Sequence, residues 1–138
     1  NYIELVKNRA YNTNNTFSKN EMESARFTLN LVFKVILKLL YPVLPFITTK
    51  LYLELYGKDI YQETFPEKID VDRSKLSSII LFETNSWIWK MKKEKGLSLK
   101  TEVKRIVVNE NLKSIEKDFK AAHSIKEIEY GKQQGIYF

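Results

Sequence analysis

A chain of 138 residues that is 43% hydrophobic and 13% aromatic can bury a core, which excludes an intrinsically disordered segment. It has no cysteine and a single histidine, which excludes a disulfide framework and argues against a cysteine- or histidine-based metal site. The net charge of +6 is concentrated: from Asn85 to Arg105 seven cations stand against Glu94 and Glu102, leaving +5 within 21 residues, a local patch suited to a polyanionic partner.

The opening NYIELVKNRAYN has no basic stretch followed by an apolar leader. It starts on helical spacing without an N-cap, so the chain is expected to be a piece of a longer protein. A first helix is predicted from about Tyr2 to Thr13, followed by a polar loop, Asn12 to Asn20, rich in turn and cap residues. The second helix, about Glu21 to Tyr41, has one narrow polar stripe, Arg26, Asn30, Lys34 and Lys38. From Phe27 onward the rest is largely apolar, so it is expected to touch neighbours around most of its circumference as the central helix of a bundle. The two lysines and Pro42 interrupt the run too often for a membrane span.

Pro42 disfavours helical geometry at Tyr41 and is expected to stop this helix, whereas Pro45 suits the first turn of the next. That third helix is predicted from about Pro45 to Tyr56, with Gly57 as a left-handed cap and Val43, Leu44 and Phe46 filling the corner. The connection that follows is expected to be packed by Ile60, Tyr61 and Phe65. Asp72 is the expected N-cap of a fourth helix, about Arg73 to Lys95, with Leu76, Ile80, Trp87 and Met91 on one face. After Gly96 the period changes. Glu102 to Asn109 reads as a strand, Leu112, Ile115, Phe119 and Ala122 as a helical stripe, Ile125 to Gly131 as a second strand and GIYF as a short third one. Strand, helix and strand imply a right-handed crossover with parallel strands. The expected fold is mainly α: a helical bundle over residues 1–98, then a small βαβ subdomain over residues 99–138.

No phosphate-cradling glycine loop occurs, and there is no Ser–His–acid signature. His123, in KAAHS at a helix end, is expected on the surface. The scattered acids read as solubilising partners of lysines, so the chain is expected to be a binding or structural module without a catalytic or metal site. Trp87 and Trp89 stand beside the lysines, and aromatic platforms beside cations suit unstacked bases. At about 100° per residue these two rings point about 200° apart, so they cannot share one face. Trp87 is assigned to the core, and Trp89 is left open between core and ligand.

Three segments carry a resemblance. NYIELVKNRAY, then ARFTLNLVFKVILKLLYPVLPFITTKLYLELYGKDIYQETFPE, then NSWIWKMKKEKGLSLKTEV resemble, in order and spacing, the region after the catalytic core of valyl-tRNA synthetases of the archaeal type. The resemblance covers about Asn1 to Tyr130. It implies a class Ia anticodon-binding helical bundle with a small α/β extension, in a parent that attaches valine to tRNA with ATP and magnesium. The adenylate-forming HIGH and KMSKS signatures are absent here, so the chain itself is expected to hold no catalytic site and no cofactor. The resemblance implies that the valine tRNA anticodon loop is received by Tyr2, Lys7, Arg9 and Tyr11 and by the connection around Ile60, Tyr61 and Phe65. The patch of Lys90, Lys92, Lys93 and Lys95 is expected to meet phosphates, and Trp89 beside it is a further tRNA-binding candidate. The implied partners are tRNA and the parent's catalytic core, with no membrane, in a cytoplasmic monomer. The reading from residues alone leaves a second possibility, a basic helical protein-interaction or scaffold domain.

Overall fold

The computed structural model describes residues 2–68 and 78–138. The chain divides into two compact units, Ser18–Asp70 and Asn1–Phe17 with Val71–Phe138. Five helices and a three-stranded sheet occur among the described residues. The fold is therefore mainly α with a small sheet near the C-terminus.

In the unit spanning residues 18–70, α2 (Lys19–Leu40) starts at Ser18. The Ser18 hydroxyl accepts from the Glu21 backbone N–H at 3.2 Å, and the Glu21 carboxylate accepts from the Ser18 N–H at 2.8 Å. This reciprocal capping box satisfies two donors that helix geometry leaves without partners. α3 (Pro45–Tyr56) begins on Pro45 and ends at Gly57, whose φ of 65° is the left-handed cap its missing side chain permits.

The proline corner is held by backbone hydrogen bonds. Tyr41 remains right-handed helical, and Leu44 N–H donates back to Leu40 O at 2.8 Å, so the chain turns through Pro42 on backbone hydrogen bonds. The buried Thr48 hydroxyl donates to Leu44 O at 2.7 Å. Val43, Leu44 and Phe46, expected to fill the corner, are exposed instead, Phe46 at 92%.

The core of this unit is Leu37, Tyr52 and Ile60, flanked by Tyr41, Leu51 and Tyr56. Ile60 lies in a short 3-10 turn, Ile60–Gln62, packed against α3. Lys34 holds its ammonium 5.7 Å from the Tyr52 ring centroid and 5.3 Å from that of Tyr56, within cation–π range. Lys38 donates to Glu63 at 2.7 Å, which holds that carboxyl below its ordinary range. α2 is not covered around its circumference. Ala25 and Leu37 are buried, while Phe27, Val32, Phe33, Ile36, Leu39 and Leu40 are exposed. Within its unit it packs on α3, and one neighbour covers one stripe of a helix.

The other unit contains α1 (Tyr2–Tyr11), α4 (Ser78–Glu94), β1 (Val103–Val108), a 3-10 segment Glu110–Ile115, α5 (Glu116–His123), β2 (Ile125–Tyr130) and β3 (Gly135–Tyr137). β1 is central. It pairs in parallel with β2, Val103 opposite Ile125 and Ile106 opposite Ile128, and antiparallel with β3, Ile106 opposite Ile136. Parallel β1 and β2 joined through α5, with a short edge strand, agree with the sequence expectation.

Val103, Ile106 and Val108 are fully buried, with Leu112, Phe119 and Ile125. α1 packs on α5, burying Leu5, Val6 and Ala10, and the Asn8 amide donates to Ala121 O at 2.7 Å. By packing, then, α1 and α4 share a unit with the sheet. The loop after α1 is closed by Asn12, whose side chain donates to Phe17 O at 2.7 Å and accepts from Phe17 N–H at 3.0 Å. The expected cap Asp72, with Arg73 and Leu76, lies outside the described residues.

Candidate nucleic-acid interface

α4 carries the interface candidates because one of its faces is buried and another is lysine-rich. The buried face is Leu81, Thr84, Asn85, Ile88 and Lys92, at spacings of three, one, three and four. Ile80, Trp87 and Met91, expected to define that face, flank it half-buried.

Lys92 therefore cannot meet a phosphate: its relative exposure is 0%. Its ammonium donates to Leu99 O and to His123 O, each at 2.9 Å. His123 ends α5 and Ser124 is left-handed, so Lys92 supplies a cation to a carbonyl that the helix end leaves open, and ties it to the Leu99 carbonyl of the turn after α4. Burial lowers its pKa from the ordinary lysine value.

His123, expected on the surface, is buried. It is 1% exposed, with its ring 4.8 Å from that of Phe119 and 6.2 Å from that of Trp89, both edge-on. Neither ring nitrogen has a hydrogen-bond partner. Burial, with the neighbouring Lys92 charge, lowers its pKa to about 4, so the imidazole is neutral at pH 7.

The remaining lysines of the patch face water. Lys90 lies 3.8 Å from Glu94, a loose exposed pair, and Lys93 is exposed. Lys95 sits over the Phe138 ring at 4.8 Å. Pairs this exposed hold their side chains weakly and leave the cations open to an anionic ligand.

On α1, Tyr2 and Tyr11 are exposed, and Lys7 contacts Glu4 at 2.5 Å. Arg9 is half-buried with its Nε 3.3 Å from Asp118 of α5, so its guanidinium is already engaged. In the other unit, Tyr61 and Phe65 are exposed and Ile60 is core, where an aliphatic side chain beside Leu37 and Tyr52 reads no base. The structure thus brings Tyr2, Lys7, Arg9, Tyr11, Trp89, Lys90, Lys93 and Lys95 into one unit and places Tyr61 and Phe65 in the other.

A cavity of about 380 Å³ lies between α1, α4, the Leu99–Lys100 turn and the end of α5. Asn85, Trp89, His123, Lys7 and Lys100 are among its lining residues. Sequence reasoning missed Asn85 and His123. The available signal was spacing: His123 lies four residues after the buried Phe119, and Asn85 four after Leu81. Among the described residues no cluster of histidine and carboxylate groups suits a metal ion.

The family model described as the anticodon-binding domain of tRNA ligase matches residues 1–108. Among curated proteins, the chain is 34% identical over 135 residues to a valine–tRNA ligase of Pyrobaculum aerophilum, covering 95% of the chain and 17% of the relative. It is 33% identical over 141 residues to that of Ehrlichia canis, covering 97% of the chain and 17% of the relative. It is 29% identical over 128 residues to that of Aeropyrum pernix, covering 88% and 16%. The chain thus spans about one sixth of the length of these relatives. With a match over most of its length, the chain belongs to the anticodon-binding domain family of tRNA ligases.

Proposed function

We propose that the chain is the tRNA anticodon-recognition part of a valine–tRNA ligase. The family match over residues 1–108 carries this reading, and the water-facing Lys90, Lys93 and Lys95 and the exposed aromatic residues of the two units support it. The lysines supply sequence-independent attraction to phosphates, while Tyr2, Tyr11, Tyr61 and Phe65 offer exposed rings to unstacked bases. Ile60 and Lys92, being buried, take no part. The adenylation of valine, with ATP and magnesium, belongs in this reading to the parent's catalytic core. The exposed apolar residues of α2 and α3 favour a further protein partner, and that core is the one proposed. A cytoplasmic, monomeric parent completes the proposal. No described helix is long and apolar enough to cross a membrane.

The test is a fluorescence-anisotropy titration of the chain with labelled valine tRNA, an anticodon-swapped transcript and heparin across a salt series. Tighter binding to valine tRNA than to the swapped transcript, with a steep salt slope, is the expected result. Equal affinity for all three polyanions would overturn anticodon recognition and leave a generic basic domain.

A further inference from the structure

The polar stripe of α2 is left unused by the RNA-binding reading, and its C-terminal half turns onto its own unit. Lys34 lies over the Tyr52 and Tyr56 rings, and Lys38 reaches the connection after α3, 25 residues further along the chain. The Lys38 ammonium donates to the Glu63 carboxylate at 2.7 Å and to Thr64 O at 3.3 Å. Both charged side chains are largely covered, at 14% and 21% exposure. After the Lys38 hydrogen bond, the Lys34 charge further favours the ionised carboxylate.

Along the connection, held residues and exposed rings alternate. Ile60 is buried in the core beside Leu37 and Tyr52. Tyr61 follows at 65% exposure. Glu63 and Thr64 are then held by Lys38, and the Glu63 N–H donates to Ile60 O at 3.1 Å. Phe65 comes next at 66% exposure. Two exposed rings are thus carried on a short stretch with an apolar anchor before the first and an ionic anchor before the second. A covered ion pair loses hydration on both partners, which offsets much of its Coulomb attraction, so its stabilising effect over an apolar replacement is small. Its geometry is what an apolar contact lacks: one ammonium, one carboxylate and one carbonyl oxygen fix both the distance and the direction of the chain.

We propose that Lys38 and Glu63 are positioning residues for RNA recognition: their ion pair, with the Thr64 carbonyl, holds Tyr61 and Phe65 in place before the RNA arrives. The inference rests on the RNA-binding reading above and adds to it a device that touches no RNA itself. Rings that are already held bind more tightly than mobile ones, because ordering a side chain at the moment of binding costs affinity. Lys38, spent on Glu63 and Thr64, meets no phosphate, which separates its role from that of Lys90, Lys93 and Lys95.

The experiment uses the whole chain with labelled valine tRNA across a salt series, together with amide heteronuclear NOE values of Tyr61 to Phe65 in the isotope-labelled chain. Lys38→Met is expected to lower those NOE values and to weaken the tRNA roughly fivefold or more, while the salt slope stays as in the parent. Glu63→Gln, made independently in case the first variant misfolds, is expected to do the same from the other side of the pair. Lys38→Arg, which keeps the charge, is expected to restore the order of the segment. In a chain already carrying Tyr61→Ala and Phe65→Ala, Lys38→Met is expected to cost nothing further, because positioning has no effect without the rings. Four results overturn the inference: parental affinity in both Lys38→Met and Glu63→Gln, an equal loss in the chain without the rings, no loss on removing the rings, or a flatter salt slope for Lys38→Met, which would make Lys38 a phosphate contact. If the parent chain binds no tRNA, the RNA-binding reading fails and the inference falls with it. If tRNA binds the parent and both single variants equally, the inference alone fails.

Discussion

Lowering the pH from 7 to 5 should destabilise the sheet-containing unit through one residue, His123. The imidazole is neutral in the fold, with its pKa lowered from 6.5 to about 4 by burial and the Lys92 charge. An unfolded chain binds a proton there near pH 6.5, so between 6.5 and 4 the unfolded state holds more protons than the folded one. Stability therefore rises with pH in that window: the contribution is fully present above 6.5 and is lost as pH falls toward 4. Linkage with these two values gives a loss of ~1.8 kcal/mol between pH 7 and pH 5, and a limiting loss of ~3.4 kcal/mol at lower pH. Glu63 and Glu116 have carboxyls held below their ordinary range by Lys38 and Lys120, so they lose stability at lower pH and do so with or without the histidine. The assay is urea unfolding followed by fluorescence of Trp87 and Trp89, which lie in the same unit as His123, for the parent chain and for His123→Phe. The difference between the two should shrink by ~1.8 kcal/mol in going from pH 7 to pH 5. Parallel pH profiles, or an imidazole titrating near 6.5 in the folded chain, would refute the reasoning.

Three further outcomes follow from particular side chains. Lys92→Met keeps the packing volume but leaves Leu99 O and His123 O without their donor, and should cost about 2–4 kcal/mol in the same urea assay. Ser18→Ala removes one half of the α2 capping box and should destabilise that helix by about 1 kcal/mol, seen as faster amide exchange in its first turn. Replacing Lys90, Lys93 and Lys95 together by Gln should weaken all tRNAs alike and flatten the log–log salt slope by roughly 0.7–0.9 for each phosphate that is no longer neutralised. An unchanged slope would remove these lysines from the interface.

The parts legible in the sequence were those that covalent geometry or a clean period enforces. Pro45 and Gly57 begin and end α3 because of what their backbones allow and forbid. β-branched residues at Val103, Ile106, Val107 and Val108 announced the central strand. Burial of charged and titratable groups was illegible to reasoning by residue type, which sends lysine and histidine to the surface. Yet Lys92 follows Ile88 by four residues and His123 follows Phe119 by four, so the helical period marked both as inward. The exposure of α2 was hidden for the opposite reason: an apolar helix shows its need for neighbours without saying whether its own unit supplies them. The cavity could not be read at all, because its walls come from segments far apart in the chain.

The burial of Lys92 gives the lysine patch a built-in reference for covalent mapping. An amine-reactive reagent attacks an unprotonated, accessible amine, and Lys92 is neither accessible nor free of its two carbonyl acceptors. In the native chain Lys90, Lys93 and Lys95 should acylate while Lys92 stays unmodified, although all four fall within six consecutive residues. A mass spectrum of that one peptide thus separates two events: protection of the three outer amines reports a bound polyanion, and labelling of the inner one reports that the end of α5 has come away from α4.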